Sequence, residues 1–378
     1  MPVIDSHAHI FPFLGGASGY ESADRHLMYI QRGLAKHVQP VRRVRDHAIV
    51  EGGLLWDDAR PGPAGRRPVD FRITRNGRAE WTVGEEDHYL QYMPPSLQEN
   101  VAPAELLISL MDHAGIDRAV LQNDHIYGNL NDFFADAVRR FPRRLIGLAQ
   151  VDESRAYSAD QLEELRRAVR DLGMRGVFFK VEGLFVNDFK ELFDEPTFDP
   201  FWAEVERLKL VVFWDLAATP WPSLPNYLRT IEAFRRWQQR HPEVPCVWAN
   251  GIPTRLLAAG GTLEIPDRVK AAVLGGPVMV EVIFPIVWGR FWEYPYWEAV
   301  PMIREMYRAF GAERLVWGSD IPNVERYCTY LQCLDHVRKY CPFIHPADME
   351  RVLGGNIRSL FPLPLPCSDW LGPRHGAR

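Results

Sequence analysis

From Pro103 onward the chain repeats one theme, in which a short apolar run is followed by an amphipathic stretch and then by another apolar run. That alternation constrains the fold more than any other feature. Strands that are apolar on both faces and separated by helices belong to a parallel sheet covered by those helices. The runs at 118–124, 145–151, 176–182, 210–216, 246–250, 278–283 and 314–320 read as strands. Helices are predicted at 104–115, 131–141, 160–172, 198–208, 227–240, 297–310 and 324–339, with Gly115 and Gly173 as stop signals. The β-rich run Val3–Phe11 opens the chain and raises the strand count to eight. An open doubly wound sheet would place a Gly-rich phosphate loop after its first strand, and none is present. The expected fold class is therefore α/β, a (β/α)8 TIM barrel.

Residues 10–100 break the pattern and are rich in Gly, Pro and Arg. Within them, 69–83 alternates apolar and polar residues around Asn76-Gly77, the signature of a hairpin. The expected organisation is one domain, 1–378, with a long insertion after strand one. The insertion covers the barrel mouth or makes a subunit contact, and its middle, around 60–67, has the composition of a disordered segment.

Composition narrows the partners. A net charge of −5 over 378 residues gives no reason to expect nucleic acid or an anionic membrane. No apolar run is long enough to span a bilayer, and Val3–Phe11 follows the N-terminus without a signal peptide. Five cysteines, an odd number without regular spacing, fit a reducing cytoplasm.

In such a barrel the C-terminal strand ends carry the active site. His7 and His9 stand at i and i+2, which on a strand places both imidazoles on one face. An isolated His-x-His is more often a surface or core pair. Here the last predicted strand ends in Asp320, and barrel closure would bring all three together. Strand two ends near Asp124 and His125, and strand four carries Lys180 and Glu182 in one parity. Strand five ends in Asp215, strand six in Asn250, and strand seven holds Glu281. Such a collection of polar and ionisable groups does not belong in an apolar core without partners, and a metal ion would satisfy several at once. Individually, Lys180 with Glu182 could form a structural ion pair, Glu281 could cap a loop, and His125 could simply pack. After strand seven, Trp288, Phe291, Trp292, Tyr294, Tyr296 and Trp297 make an aromatic stretch suited to an apolar substrate body or to a subunit interface. Arg255, Arg290 or Lys180 could hold a substrate carboxylate.

Four segments carry a family resemblance: Ile4–His9, Gly115–Val120, Phe141–Ala149 and Leu315–Pro322. Together they resemble the amidohydrolase superfamily, in the branch that includes the aminocarboxymuconate-semialdehyde and hydroxybenzoate decarboxylases. The resemblance covers nearly the whole chain apart from the insertion. It implies that His7, His9 and Asp320 bind a divalent metal. Two departures bear on the chemistry. The family's metal-binding histidine at the end of strand five aligns with Asp215, and its acid–base histidine at the end of strand six aligns with Asn250. An asparagine cannot shuttle a proton at neutral pH. A set enriched in carboxylates suits Fe or Mn better than Zn, and Glu182 or Asp215 would bridge a second ion.

Some members resembling this barrel are dinuclear iron or iron–manganese oxygenases. The leading expectation is accordingly a dinuclear Fe or Fe/Mn monooxygenase that uses O2 to hydroxylate a small organic acid. The alternative is a mononuclear Zn or Mn decarboxylase or hydrolase of a carboxylate-bearing substrate, with His125 or Lys180 replacing the missing proton carrier. A third possibility is a non-catalytic metal-binding subunit that supports an active paralogue. A homo- or hetero-oligomer is expected in each case, with Trp288 and Trp292 lining the substrate pocket.

Overall fold

The computed structural model describes residues 2–51, 55–216, 223–259 and 261–362. Eight parallel strands form one sheet in chain order: β1 (Ile4–Ala8), β2 (Arg118–Leu121), β3 (Leu145–Ala149), β4 (Gly176–Lys180), β5 (Val211–Asp215), β6 (Cys246–Trp248), β7 (Val278–Val282) and β8 (Leu315–Trp317). The sheet closes just past β8, where His9 N donates to Ile321 O at 2.8 Å and Asp320 N donates to His7 O at 2.9 Å. The molecule is thus a TIM barrel, as the alternation predicts.

Strand parity divides the core in two. Val120, Ile146, Leu148, Phe178, Val211, Phe213, Val247 and Val316 fill the barrel, and Ile357 and Phe361 plug its lower end. The intervening residues, among them Phe179, Trp214, Trp248 and Trp317, pack outward against the helices. Trp214 lies 5.1 Å from Trp202 and 5.0 Å from Trp237, ring to ring. Each such indole buries a large apolar area, so the helical layer is anchored by aromatic contacts as well as aliphatic ones.

The seam between β1 and β8 is tied by polar groups. Asp5, fully buried, accepts from Ser319 N at 3.0 Å, Ser319 Oγ at 2.5 Å, Tyr330 Oη at 2.6 Å and His7 N at 2.9 Å. Burial pushes its carboxyl up to about 6 in spite of those bonds. Gly318 permits the close approach, because a Cβ there would lie 2.9 Å from both His7 Cβ and Ser6 Oγ.

Most predicted strands continue one to three residues too far. The residues after Lys180 form a 3-10 helix, Val181–Asn187, instead of extending β4. The helix expected at 324–339 runs Tyr330–Tyr340, preceded by a 3-10 turn at Asn323–Arg326, and helical segments at Pro346–Glu350 and Asn356–Leu360 follow it. The insertion holds a helix, Ala23–Ala35, capped by Ser22 Oγ accepting from Arg25 N at 3.1 Å. It also holds a four-stranded antiparallel sheet in which Arg72–Ile73 and Arg78–Val83 form the expected hairpin. Asn76 and Gly77 turn it with φ of 55° and 76°, values suited to those two residues. Residues 60–67, expected to be disordered, are tied down instead. They contain a turn at Gly62–Gly65, and Arg66 donates to Gln31 Oε1 at 2.9 Å and to Asp24 Oδ1 at 2.8 Å.

Among the described residues no helix is long and apolar enough to cross a membrane. Cys246, Cys328, Cys333 and Cys341 are buried free thiols.

Candidate metal centre

Closure of the barrel brings three donor atoms together. His7 Nε2 and His9 Nε2 are 3.0 Å apart, and Asp320 Oδ1 lies 3.0 Å from His9 Nε2 and 3.9 Å from His7 Nε2. Among the described residues this is the one His/Cys/Asp/Glu cluster spaced to hold a metal ion. Each imidazole is fixed through its other nitrogen. His7 Nδ1 donates to Glu281 Oε2 at 2.8 Å, and His9 Nδ1 donates to the Gln122 carbonyl at 2.9 Å. With the Nδ1 atoms so engaged, the Nε2 lone pairs are left for a cation. Asp320 adopts a left-handed conformation, φ 60°, and its Oδ1 also accepts from Asn323 Nδ2 at 2.6 Å.

Glu281 organises this arrangement from below. Its Oε1 accepts from Ser6 Oγ and Gln122 Nε2, and its Oε2 from His7 Nδ1 and Asn250 N, all at 2.8 Å. Burial opposes charging of His7, but Glu281 and Asp320 outweigh it and raise the imidazole to about 9. Asp320 is lowered, because His9 and His7 more than offset its burial. A divalent cation would replace the proton on that electron-rich pair of imidazoles, so the donor set fits the group.

Other predicted site residues are placed differently. Glu182 does not join the cluster. Because the chain turns helical after Lys180, Glu182 leaves the inward parity, and its Oε1 accepts from Arg32 Nε at 3.0 Å and lies 3.5 Å from Lys36 Nζ. The expected bridge to a second ion therefore has no carboxylate from β4. Asp215 is buried beside Lys180 in register, also outside the three-donor cluster. Lys180 Nζ is ion-paired with Asp124. Burial works against its charge, yet Asp124 and Asp215 overcome it and raise the ammonium above its ordinary range. An ammonium held in that ion pair is poorly suited to act as a base.

His125 lies in a separate network. Its Nε2 is 2.6 Å from Glu153 Oε2, and the Tyr20 hydroxyl and Gln150 Nε2 reach its Nδ1. Asn250 sits in a left-handed turn, φ 61°, bound to Glu281 through its backbone.

The mouth is cationic. Arg255 and Arg290 lie over the Phe291 ring at 5.0 and 5.7 Å. Trp288 stacks on Trp292 at 4.0 Å and donates from Nε1 to Thr254 Oγ1 at 3.0 Å. His37 is depressed to about 3, first by burial and then by Arg326, with Arg290 and Arg255 adding to the effect and Asp320 opposing it. Arg326 and Asp320 also reach Tyr92, whose buried hydroxyl has no hydrogen-bond partner among the described residues. Burial raises that phenol, and Asp124 and Asp320 raise it further, against Lys180 and Arg326.

Sequence reasoning missed Tyr92, His37 and Arg326, along with Gln122 and the organising role of Glu281. Glu281 had a readable signal, a carboxylate in an otherwise apolar strand. Gln122 acts on His9 through its backbone carbonyl, which leaves no trace in residue type.

Fold and site define a class, that of a metal-dependent barrel enzyme with a His-x-His strand opposite a final-strand aspartate. Residues 4–363 match the family model described as Amidohydrolase, and the chain belongs to that family. No curated protein matches the sequence. Among solved structures, the chain is similar to a probable 2-pyrone-4,6-dicarboxylic acid hydrolase from Acinetobacter baumannii with citric acid bound. The identity is 17%, the TM-score 0.54, and the match covers 96% of this chain and 100% of that one. It is also similar to an uncharacterized TIM-barrel protein from Bordetella bronchiseptica, at 16% identity and TM-score 0.53, covering 95% and 98%. A 2,6-dihydroxybenzoate decarboxylase from Rhizobium matches at 18% identity and TM-score 0.47, over 68% of this chain and 87% of that one. The first two likenesses bear on the fold alone.

Proposed function

We propose that this protein uses one divalent cation, Mn or Zn, to cleave a small carboxylic acid without oxidation, by decarboxylation or hydrolysis. The observation that carries this reading is the three-donor cluster of His7, His9 and Asp320. The carboxylate that would have bridged a second ion, Glu182, is neutralised by Arg32 and Lys36. When bound, the cation supplies a Lewis acid that polarises a substrate or water oxygen.

The chain's own groups then divide the work. Arg255, Arg290 and Arg326 attract and orient carboxylate, with Trp288 and Trp292 beside the substrate body. The Tyr92 hydroxyl donates to a substrate oxygen, which would give that buried group its missing partner. Lys180, kept cationic by Asp124 and Asp215, stabilises negative charge developing on the substrate. The insertion covers the mouth and excludes water. Arg32 holding Glu182, and Arg326 donating to the Tyr92 carbonyl, join it to the rim.

A second reading keeps the O2-dependent oxygenase. It is favoured by the donor set, since two histidines and one carboxylate also suit non-haem iron. Metal analysis of the purified protein, followed by turnover of a panel of aromatic and aliphatic di- and tricarboxylic acids with and without O2, separates the two. Under the main reading one equivalent of Mn or Zn is found, and anaerobic turnover releases CO2 or a new carboxylic acid. Iron with strictly O2-dependent turnover would replace it with the second reading.

A further inference from the structure

A cavity of about 270 Å3 lies to one side of the barrel centre, and none of His7, His9 and Asp320 lines it. One wall comes from the insertion and carries Tyr20, Arg25 and Tyr29. The loops after β2 and β3 supply His125 and Asp152, and the following helix supplies Glu164. The aromatic groups form a continuous stack, with Tyr29 on His125 at 4.6 Å and 16°, and Tyr20 on Tyr29 at 5.3 Å and 22°.

Most charges around this cavity are already matched. Asp152 accepts from Ser154 Oγ at 2.6 Å and from Arg155 Nε at 3.3 Å. Arg155 also forks onto Asp160 at 3.0 and 2.6 Å. Glu164 is gripped by Arg167 at 2.8 and 3.0 Å and by Asn131 at 2.7 Å. His125 is balanced by Glu153.

Arg25 differs. Among the described residues its one ion pair is with Glu21, at 4.0 Å, and the Glu21 side chain is 74% exposed. Its other contacts are weak: Met28 Sδ at 3.8 Å, Tyr29 Oη at 3.3 Å and the Tyr29 ring at 5.2 Å. An exposed pair at that distance contributes little and yields readily to a better carboxylate. The cavity therefore combines a guanidinium without a close carboxylate, an aromatic face, and room for a small molecule.

We propose that this cavity is a second ligand site, for a small planar monocarboxylic acid of the benzoate type. The carboxylate takes the Arg25 fork and the ring lies against Tyr20 and Tyr29. The site is independent of the reaction proposed for the barrel centre, so either can fail without the other.

The test soaks crystals with para-bromobenzoate and locates bromine by anomalous scattering, alongside calorimetric titration of benzoate in solution. The expected result is bromine in this cavity and binding that Arg25→Gln weakens by about tenfold or more, since a bidentate charged contact is lost. Asp320→Asn, which disables only the central cluster, should leave the cavity affinity unchanged. Melting curves establish that Arg25→Gln is folded. Should it not fold, Arg25→Lys, which keeps the charge and loses the planar fork, must show the weakening instead. Bromine found only at the central cluster would overturn the proposal, and so would an affinity that survives the loss of the Arg25 fork.

Discussion

The β1–β8 seam and the end of β4 both carry ionisable side chains at the barrel rim, yet among the described residues only the seam brings three donors together at a spacing that could hold a cation. At the seam, His7 lies within a strand and His9 directly after it, and Asp320 is placed by a backbone bond from its own N to His7 O. Strand geometry places His7, and the backbone bonds that continue past the strand ends, His9 N to Ile321 O and Asp320 N to His7 O, place the other two. At β4 the strand ends at Lys180, and the 3-10 helix that follows rotates Glu182 away toward Arg32 and Lys36. Beyond a strand's last residue, parity guides convergence only where backbone bonds to the neighbouring chain continue, as they do at the seam. Two residues of helix, Val181 and Glu182, are enough to send a carboxylate to a different partner.

The largest effect expected from this contrast is at Asp320. Asp320→Ala removes one of three donors, and metal affinity should fall by more than about a hundredfold, since even loss of an orienting group costs about 10–100-fold. Activity should vanish while circular dichroism stays that of an intact barrel. Stoichiometric metal retained by the variant would mean that the seam is not the cation site. Next in size is Glu281→Gln, which leaves the ligands in place but replaces the acceptor that fixes His7 and receives three further hydrogen bonds. A loss of about 10–100-fold in metal affinity is expected, measured by competition with a chelator.

Glu182→Gln examines the other side of the comparison. Metal content should remain at the wild-type level, because Glu182 is held by Arg32 and Lys36 and stands outside the cluster. Stability should drop by about 1.5–3 kcal/mol, the usual worth of hydrogen bonds to a charged group, read from denaturant unfolding. If instead a second metal equivalent were lost, the dinuclear expectation would return and the contrast between seam and β4 would collapse.

These differences also explain how much the sequence reveals. The barrel was legible because eight apolar runs alternate with helical stretches, and closure then made the convergence of His7, His9 and Asp320 a consequence of topology. Strand ends were less legible, since Val181 and Glu182 continue the apolar–polar alternation although the backbone has already turned. The insertion was legible only at Asn76-Gly77, where a positive-φ turn imposes residue type. Tyr92 and His37 left no signal, because what brings them over the rim is the tertiary placement of the insertion and not any periodicity of their own.

The smallest effect concerns Tyr92 and bears on whether the insertion belongs to the site. Among the described residues its hydroxyl is buried without a hydrogen-bond partner, whereas His7, His9 and Asp320 are each hydrogen-bonded. An unsatisfied buried hydroxyl costs about 1–3 kcal/mol, so Tyr92→Phe should leave the protein as stable as before or slightly more so. If the hydroxyl is retained for substrate, the same variant loses about tenfold in kcat/KM with metal content unchanged, the size expected for one hydrogen bond made to a reacting molecule. Greater stability together with lower activity is the pattern of a group kept for function at the expense of the fold. Unchanged kinetics would make the insertion a cover that contributes no contact of its own through Tyr92, and the cation seam would then stand as the chemical centre without it.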